Sequence, residues 1–471
     1  MERRRILIKG GTVVTLEEGP DGEGRTADVL VEGSRIQAIA PAIDAGDAQV
    51  IDATGMLVMP GFVDTHRHTW QTAFRGIGSD WSLAQYAKGM HGILKPHYSP
   101  EDVYIGNLMG RVEALYSGIT TMLDWSHGIL SPEHADAAAQ GLLDAPGRSV
   151  FAYAGGLGFP SDEPIRSELV RLRKGPFASN SGRVTLALGL RGPQYSSLDC
   201  TESDVRLARE LDLHVSVHGG SAGWGRNRPV GRMHERGLLD ERTTVIHCNS
   251  LADDELAMMA DCGCSASVSP DVEIQMGFGW PATGRLLAAG IRPSLSIDDC
   301  AAIGGDMFGT MHTALIVQRG LDNASVDNPT DQHGLRLRCR DVVEFATLEG
   351  ARACGLAGRI GSLGVGKEAD ILLLRMDDPT FFPVNHALGS LVAAGHPGLV
   401  DTVLVAGEVV KHAGKFVGVD LERLRSMVLT SRERVMTRAN ANPLHPNCVH
   451  LGGCWHPPVD GYTADAVNPR E

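Results

Sequence analysis

The sequence has no run of 18 apolar residues, which excludes a membrane-spanning helix. The opening Met-Glu-Arg-Arg-Arg is basic, but no long apolar stretch with a small-residue cleavage site follows, so no secretory leader is expected. Positive charge is in deficit: 43 Lys and Arg stand against 57 Asp and Glu, a formal net charge of −14. A chain this acidic is a poor binder of nucleic acid or anionic membrane. The cysteines lack a pairing pattern; there are nine, an odd number, spread over 471 residues. That usage suits a reducing cytoplasm rather than a disulfide framework. The glycine clusters Gly219-Gly220 and Gly277-Phe278-Gly279 lack the spacing of a phosphate cradle and read as loops admitting close backbone approach. What is present is an ordinary globular balance, 43% hydrophobic and 21% charged, and 18 histidines. Histidine is the commonest transition-metal ligand, so the places where it clusters matter most.

Residues 5–58 alternate short apolar runs with glycine turns, as small β-strands do. The same texture returns at 370–374 and 400–410. Neither segment holds enough strands for an independent sheet domain, so both chain ends are expected to build one β-sandwich, burying Ile6, Ile8, Leu372 and Leu374 together. Between them, Val-, Ile- and Leu-rich runs at 56–63, 119–123, 150–154, 184–190, 214–217, 244–246, 266–268 and 293–297 alternate with amphipathic helical stretches. This rhythm implies a parallel sheet, and eight runs fit a (β/α)8 TIM barrel, with a doubly wound open sheet as the alternative. The expected organisation is residues 1–59 and 358–440 as the two parts of the sandwich, the second with a helix. Residues 60–357 form the barrel, and 441–471 an extended arm rich in proline. The arm also carries His445, Cys448, His450, Cys454 and His456, but Cys-x5-Cys is not a standard zinc pair.

Barrel active sites lie at the C-terminal ends of the strands. His66 and His68 follow the first run two residues apart, so both point to one side of a strand. His218 follows the fifth run, His247 the sixth, and Asp298 with Asp299 the eighth. Imidazoles and a carboxylate at four separate strand ends make a mixed nitrogen and oxygen set suited to Zn2+ or Fe2+.

The run Pro60-Gly61-Phe62-Val63-Asp64-Thr65-His66-Arg67-His68 resembles the first-strand signature of the amidohydrolase superfamily. Gln71 to Arg75-Gly76, Ser117-Gly118-Ile119-Thr120-Thr121, Val245-Ile246-His247-Cys248 and 361–370 resemble its branch of triazine hydrolases, cytosine and guanine deaminases, and methylthioadenosine deaminases. The resemblance implies a distorted (β/α)8 barrel with a sandwich from both termini. It implies a hydrolase of carbon–nitrogen bonds other than peptide bonds, acting through metal-activated hydroxide on a small, heterocyclic substrate. By the same resemblance His66, His68, His218 and Asp298 hold one divalent ion, Zn2+ or Fe2+. Asp298 also moves the proton, and His247 contacts the water or the substrate. The fourth run ends in Arg191-Gly192-Pro193-Gln194 with no lysine, which argues against a carbamylated dinuclear centre.

One departure stands out. Deaminases of this branch carry His-x-x-Glu after the fifth strand, and that glutamate protonates the substrate ring. Here the stretch is His218-Gly219-Gly220-Ser221, and a hydroxyl cannot act as that acid. Three repairs are open: Asp298 alone, another acid such as Glu273 or Asp271, or a leaving group such as halide that needs no ring protonation. An amide hydrolase, a decarboxylase-like enzyme and a silent scaffold on the same fold remain alternatives. Gln194, Trp70, Ser221 and Glu273 are expected to line the substrate pocket. Trp125, Trp224 and Trp280 also lie beyond strand ends, and His127 reads as a surface residue. The expected setting is a cytoplasmic homo-oligomer, dimer or tetramer, with a small-molecule substrate and neither nucleic-acid nor membrane partners.

Overall fold

The computed structural model describes residues 4–17, 24–155, 163–324, 326 and 336–440. The expected arm at 441–471, with its Cys and His residues, lies outside the described residues. The first strands are β1 (Arg5–Val13), β2 (Arg25–Glu32), β3 (Arg35–Ala40), β4 (Gln49–Asp52) and β5 (Met56–Pro60). Eight strands follow: β6 (Phe62–Arg67), β7 (Ile119–Ser126), β8 (Arg148–Tyr153), β9 (Val184–Leu190), β10 (Val215–Gly219), β11 (Thr243–His247), β12 (Ser265–Val268) and β13 (Ser294–Leu295). The last are β14 (Ile371–Arg375), β15 (Val400–Val405), β16 (Glu408–His412) and β17 (Lys415–Phe416).

Strands β6 to β13 pair in chain order and all in parallel, with helices between them. The sheet is a barrel because its ends meet. Beyond β13, the Asp298 amide donates to the His66 carbonyl and the His68 amide donates to the Asp298 carbonyl, each at 2.8 Å. Asp64 in β6 adds a third tie, accepting from the Ile297 amide at 3.1 Å.

The chain ends form one sheet in the order β17-β16-β15-β14-β5-β1-β2-β3, with β4 on the side of β1. The join between the two ends is β5 with β14, antiparallel, Val58 facing Leu373. Two expectations need correcting. The run 56–63 is two strands, not one: β5 belongs to the terminal sheet and β6 to the barrel. The break falls at Gly61, whose amide donates to the Asp370 carbonyl. A Cβ there would lie 2.1 Å from Thr120 Oγ1, so glycine alone lets the strand pass. The second correction is one of parity. Ile371 and Leu373 pack with Ile6 and Ile8, whereas Leu372 and Leu374 turn to the opposite face and join Phe62 in the barrel-side core. Alternate side chains take opposite faces, so an error of one residue in register moves the whole set.

A buried ion cluster fixes barrel to sheet. Arg148 of β8 donates from Nε to Asp370 at 2.9 Å and from Nη2 to Glu368 at 2.6 Å. Asp370 also accepts from the Ala406 amide, which ties in the turn after β15. Among the described residues no helix is long and apolar enough to cross a membrane. Arg148→Met should therefore leave two acids buried without their cation. The expected loss of unfolding free energy in a urea titration is about 3–5 kcal/mol, and a loss below 1 kcal/mol would count against the cluster as a tie.

Candidate metal and substrate site

Four imidazoles and one carboxylate converge at the C-terminal mouth of the barrel. His66 and His68 come from the end of β6, His218 from β10, and His247 from the last residue of β11. Asp298 lies just past β13. Asp298 Oδ1 is 3.2 Å from both His66 Nε2 and His68 Nε2, and Oδ2 is 3.6 Å from His247 Nε2. Ring centroids of His66 lie 4.8 Å from His218 and 5.7 Å from His247. Ligand atoms of His66, His218 and His247, and of His66, His68 and Asp298, fall within 4.8 Å of one another. All five residues are buried. His66 Nδ1 and His218 Nδ1 have no hydrogen-bond partner. Buried polar atoms without partners are rare, and clustered imidazole nitrogens facing a carboxylate fit a divalent ion such as Zn2+ or Fe2+. The donor set expected from the sequence is thus brought together in one place.

The electrostatics run the same way. Burial holds His66 down to about 3 and His218 well below the usual histidine range, so both rings stay neutral with lone pairs free. Burial opposes ionisation of Asp298 too, but the adjoining rings of His66, His68 and His247 outweigh it and keep the carboxylate charged. Two backbone positions are strained to achieve this: His247 has φ +75° and Asp298 φ +64°. Left-handed backbone at non-glycine residues costs free energy and gathers at functional sites.

A second layer fixes the ligands. His68 Nδ1–H donates to the Trp125 carbonyl at 3.0 Å, which turns Nε2 toward Asp298. His247 Nδ1–H donates to Glu273 Oε1 at 3.1 Å. Glu273 does not face the pocket as expected. It is fully buried behind His247, where it also accepts from the Ser269 amide and from Asn249 Nδ2. Asp271 accepts from Thr310 and Thr313, away from the cluster. Trp70 is likewise withdrawn from the pocket surface; it is fully buried and its indole N–H donates to His127 Nδ1 at 2.9 Å. His127 is not a surface residue. It is 5% exposed and stacks on His68 with centroids 3.8 Å apart. Ser221 and Gln194 meet: Gln194 Nε2 donates to Ser221 Oγ at 3.0 Å, and Gln194 Oε1 accepts from the Gly220 amide at 3.3 Å. Tyr195, edge-on to His218 and to Trp224, continues that wall. Trp125 packs edge-on against His218, while Trp280 is 63% exposed at the rim.

Sequence reasoning missed the residues around Gln71 and His127. Gln71 Nε2 donates to Tyr86 Oη at 2.6 Å, and His91 stands edge-on to His127 at 4.5 Å. Residues 87–94, which carry His91, form a π-helix, a form frequent at functional sites. Gln71 lies within a motif run and was open to notice; Tyr86 and His91 follow no period.

The profile of the Amidohydrolase family matches residues 57–410. The chain belongs to the amidohydrolase family. It is 30% identical over 429 residues to the 5'-deoxyadenosine deaminase of Methanothermobacter thermautotrophicus, covering 88% of this chain and 95% of that one. It is 30% identical over 456 residues to the 5-methylthioadenosine/S-adenosylhomocysteine deaminase of Desulforudis audaxviator, covering 92% and 99%. Among solved structures, an adenosine deaminase from Xanthomonas campestris with bound zinc superposes with a TM-score of 0.80 at 24% identity, covering 92% and 98%. A mutant atrazine chlorohydrolase from Arthrobacter aurescens complexed with zinc and atraton superposes with 0.81 at 22% identity, covering 91% and 100%. Those two likenesses establish the amidohydrolase barrel fold.

Two measurements check this geometry. His66→Ala should lose most bound metal by elemental analysis, because its nitrogens join both ligand groups. Retention of a full complement would refute the arrangement. The second concerns Lys95, whose ammonium burial lowers from 10.5 to about 8. The unfolded chain holds that proton more tightly, so the charge destabilises the fold below pH 8 and the cost fades between pH 8 and 10.5. Lys95→Met should raise Tm at pH 7, with the gain shrinking as pH approaches 10.5.

Proposed function

We propose that this chain is a metal-dependent hydrolase that cleaves a carbon–nitrogen bond of a small heterocyclic substrate and releases ammonia or an amine. The observation that carries the reading is the convergence of His66, His68, His218, His247 and Asp298, with His66 Nδ1 and His218 Nδ1 left unpartnered, at the catalytic end of the barrel. The deaminase relatives support the bond type and the class of substrate. His66, His68, His218 and Asp298 would hold the ion, Zn2+ or Fe2+. When bound, such an ion supplies Lewis acidity that brings the ionisation of water toward neutrality.

The residues divide the remaining work. Asp298 accepts the proton that water gives up as it attacks the sp2 carbon. His247, with its Nδ1 proton committed to Glu273, turns Nε2 toward the reacting atoms 3.6 Å from Asp298 Oδ2. There it accepts a hydrogen bond from water, and it can pass the proton taken up by Asp298 on to the nitrogen that leaves. The carbon–nitrogen bond then breaks and the nitrogen leaves with the transferred proton. No acid stands where the branch has its glutamate; Gln194 and Ser221 offer neutral hydrogen bonds instead. Asp298 is therefore the proton carrier, and Gln194 with Ser221 recognises the substrate. Buried free cysteines support a reducing, cytoplasmic setting, and a homo-oligomer remains part of the proposal, to be read by sedimentation.

The test is a panel of aminopyrimidines, aminopurines, triazines and cyclic amides, with ammonia release measured beside product mass. Release of ammonia or amine supports the reading; loss of halide alone, or no turnover by the metal-loaded protein, overturns it. Glu273→Gln should keep kcat/KM within about tenfold, since an amide oxygen still accepts from His247, while Glu273→Ala should cost about 10–100-fold. Ser221→Glu should lower activity, because a carboxylate would displace the Gln194 bridge and add charge beside His218. A gain in ammonia release would instead mark the site as one built for ring protonation.

A further inference from the structure

Gln194 sits between a backbone amide and two hydroxyls, and these partners fix which way its side-chain amide faces. The short helix Gly192–Tyr195 follows β9 and carries Gln194 and Tyr195; Ser221 stands two residues beyond β10. The Gly220 N–H can only donate, so the Gln194 atom 3.3 Å from it is Oε1. Gly220 has φ +77°, and a Cβ there would lie 2.7 Å from Leu251 Cγ, so glycine is required to hold that amide in place. The other end of Gln194 is therefore the NH2 group. Its two hydrogens go to Ser221 Oγ at 3.0 Å and Tyr195 Oη at 3.2 Å. Both oxygens accept from Gln194, so each hydroxyl turns its own hydrogen away from it. Among the described residues neither hydrogen has an acceptor. Ser221 is 4% exposed and Tyr195 half-buried, and a buried hydroxyl hydrogen without an acceptor is rare. The Tyr195 ring is edge-on to the proposed ligand His218 at 5.8 Å, which sets the pair beside the metal site. We propose that Ser221 and Tyr195 form a donor-only wall that selects a substrate edge of bare lone pairs, a ring carbonyl beside an unprotonated ring nitrogen. Gln194 is the positioning residue that sets the polarity of both hydroxyls.

The polarity of the wall follows from one side chain. An amide NH2 at its centre makes both hydroxyls donors toward the cleft. A carboxylate in the same place would take both hydrogens and leave two oxygens facing the substrate. The wall thus reads the direction of hydrogen bonds, not charge, and it holds a ring nitrogen without protonating it. A ring with N–H on that edge would set hydrogen against hydrogen and leave buried donors unpaired. The inference rests on the hydrolase reading for placing a heterocycle in the mouth, and it adds which edge of that ring faces β9 and β10.

Three neutral rings are titrated by calorimetry into the full-length, metal-loaded protein at pH 7. They are 1-methylpyrimidin-2-one, with both acceptors, 1-methyl-2-pyridone, with the carbonyl alone, and pyrimidine, with ring nitrogens alone. The first should bind about tenfold tighter than either of the others, the scale of one buried hydrogen bond. Ser221→Ala and Tyr195→Phe together should bring the three within about threefold of one another. Gln194→Glu should place 1-methylpyrimidin-2-one last, an inversion that lost packing alone would not produce. Melting curves check that the variants are folded. Equal binding of the three rings by the native protein, no binding of any at millimolar concentration, or a preference that survives the Ser221 and Tyr195 changes would overturn the proposal. That last result would mean that the metal, not the wall, reads the ring nitrogen. The preference without ammonia from any amine would sustain this inference and count against the hydrolase reading. Ammonia release with no such preference would do the reverse.

Discussion

The hydrogen bonds that close the barrel are made by the residues that form the site. Asp298 gives its amide to His66 and takes the amide of His68, so its backbone is the last rung between β13 and β6. The same residue turns its carboxylate onto both of those imidazoles. Position and closure are therefore one constraint. The strained φ of +64° at Asp298 is held because relaxing it would open the barrel. Asp64 strengthens the seam from the other strand; burial raises its carboxyl to about 6, offset in part by Arg67. Arg67 in turn pairs with Glu113 on the helix Pro100–Tyr116, which spreads the tie to the outer layer.

Around that seam the supporting residues work by limiting choice. Trp125 gives its carbonyl to His68 and its edge to His218. Glu273, held by three donors, leaves His247 one tautomer to present. Both act through the imidazoles they touch. Their effect is to keep the ligand nitrogens aimed before anything binds, so little reorganisation is left for the reaction.

Much of this was legible in the sequence because it depends on local pattern. Each of the eight apolar runs ends in a barrel strand, and the histidines and aspartate at their ends meet. What escaped is what pattern does not encode. The division at Gly61 depends on the approach of Thr120, distant in sequence. The parity of β14 could not be taken from an all-apolar run in which Ile371 to Leu374 read alike. The role of Glu273 turns on which face of a short helix meets His247. Segment 77–98 has no regular period, so His91 gave no sign that it meets His127, which stacks on His68.

The terminal sheet has a consequence for synthesis. Its centre joins β5, complete by residue 60, to β14, which begins at residue 371. During translation the edge of β5 has no native partner while the whole barrel emerges. A bare strand edge recruits other chains, and long-range pairing of this kind is slow to form. The nascent protein thus spends most of its elongation with an unfinished sheet, and its last hundred residues decide whether that edge closes on its own chain or on a neighbour's.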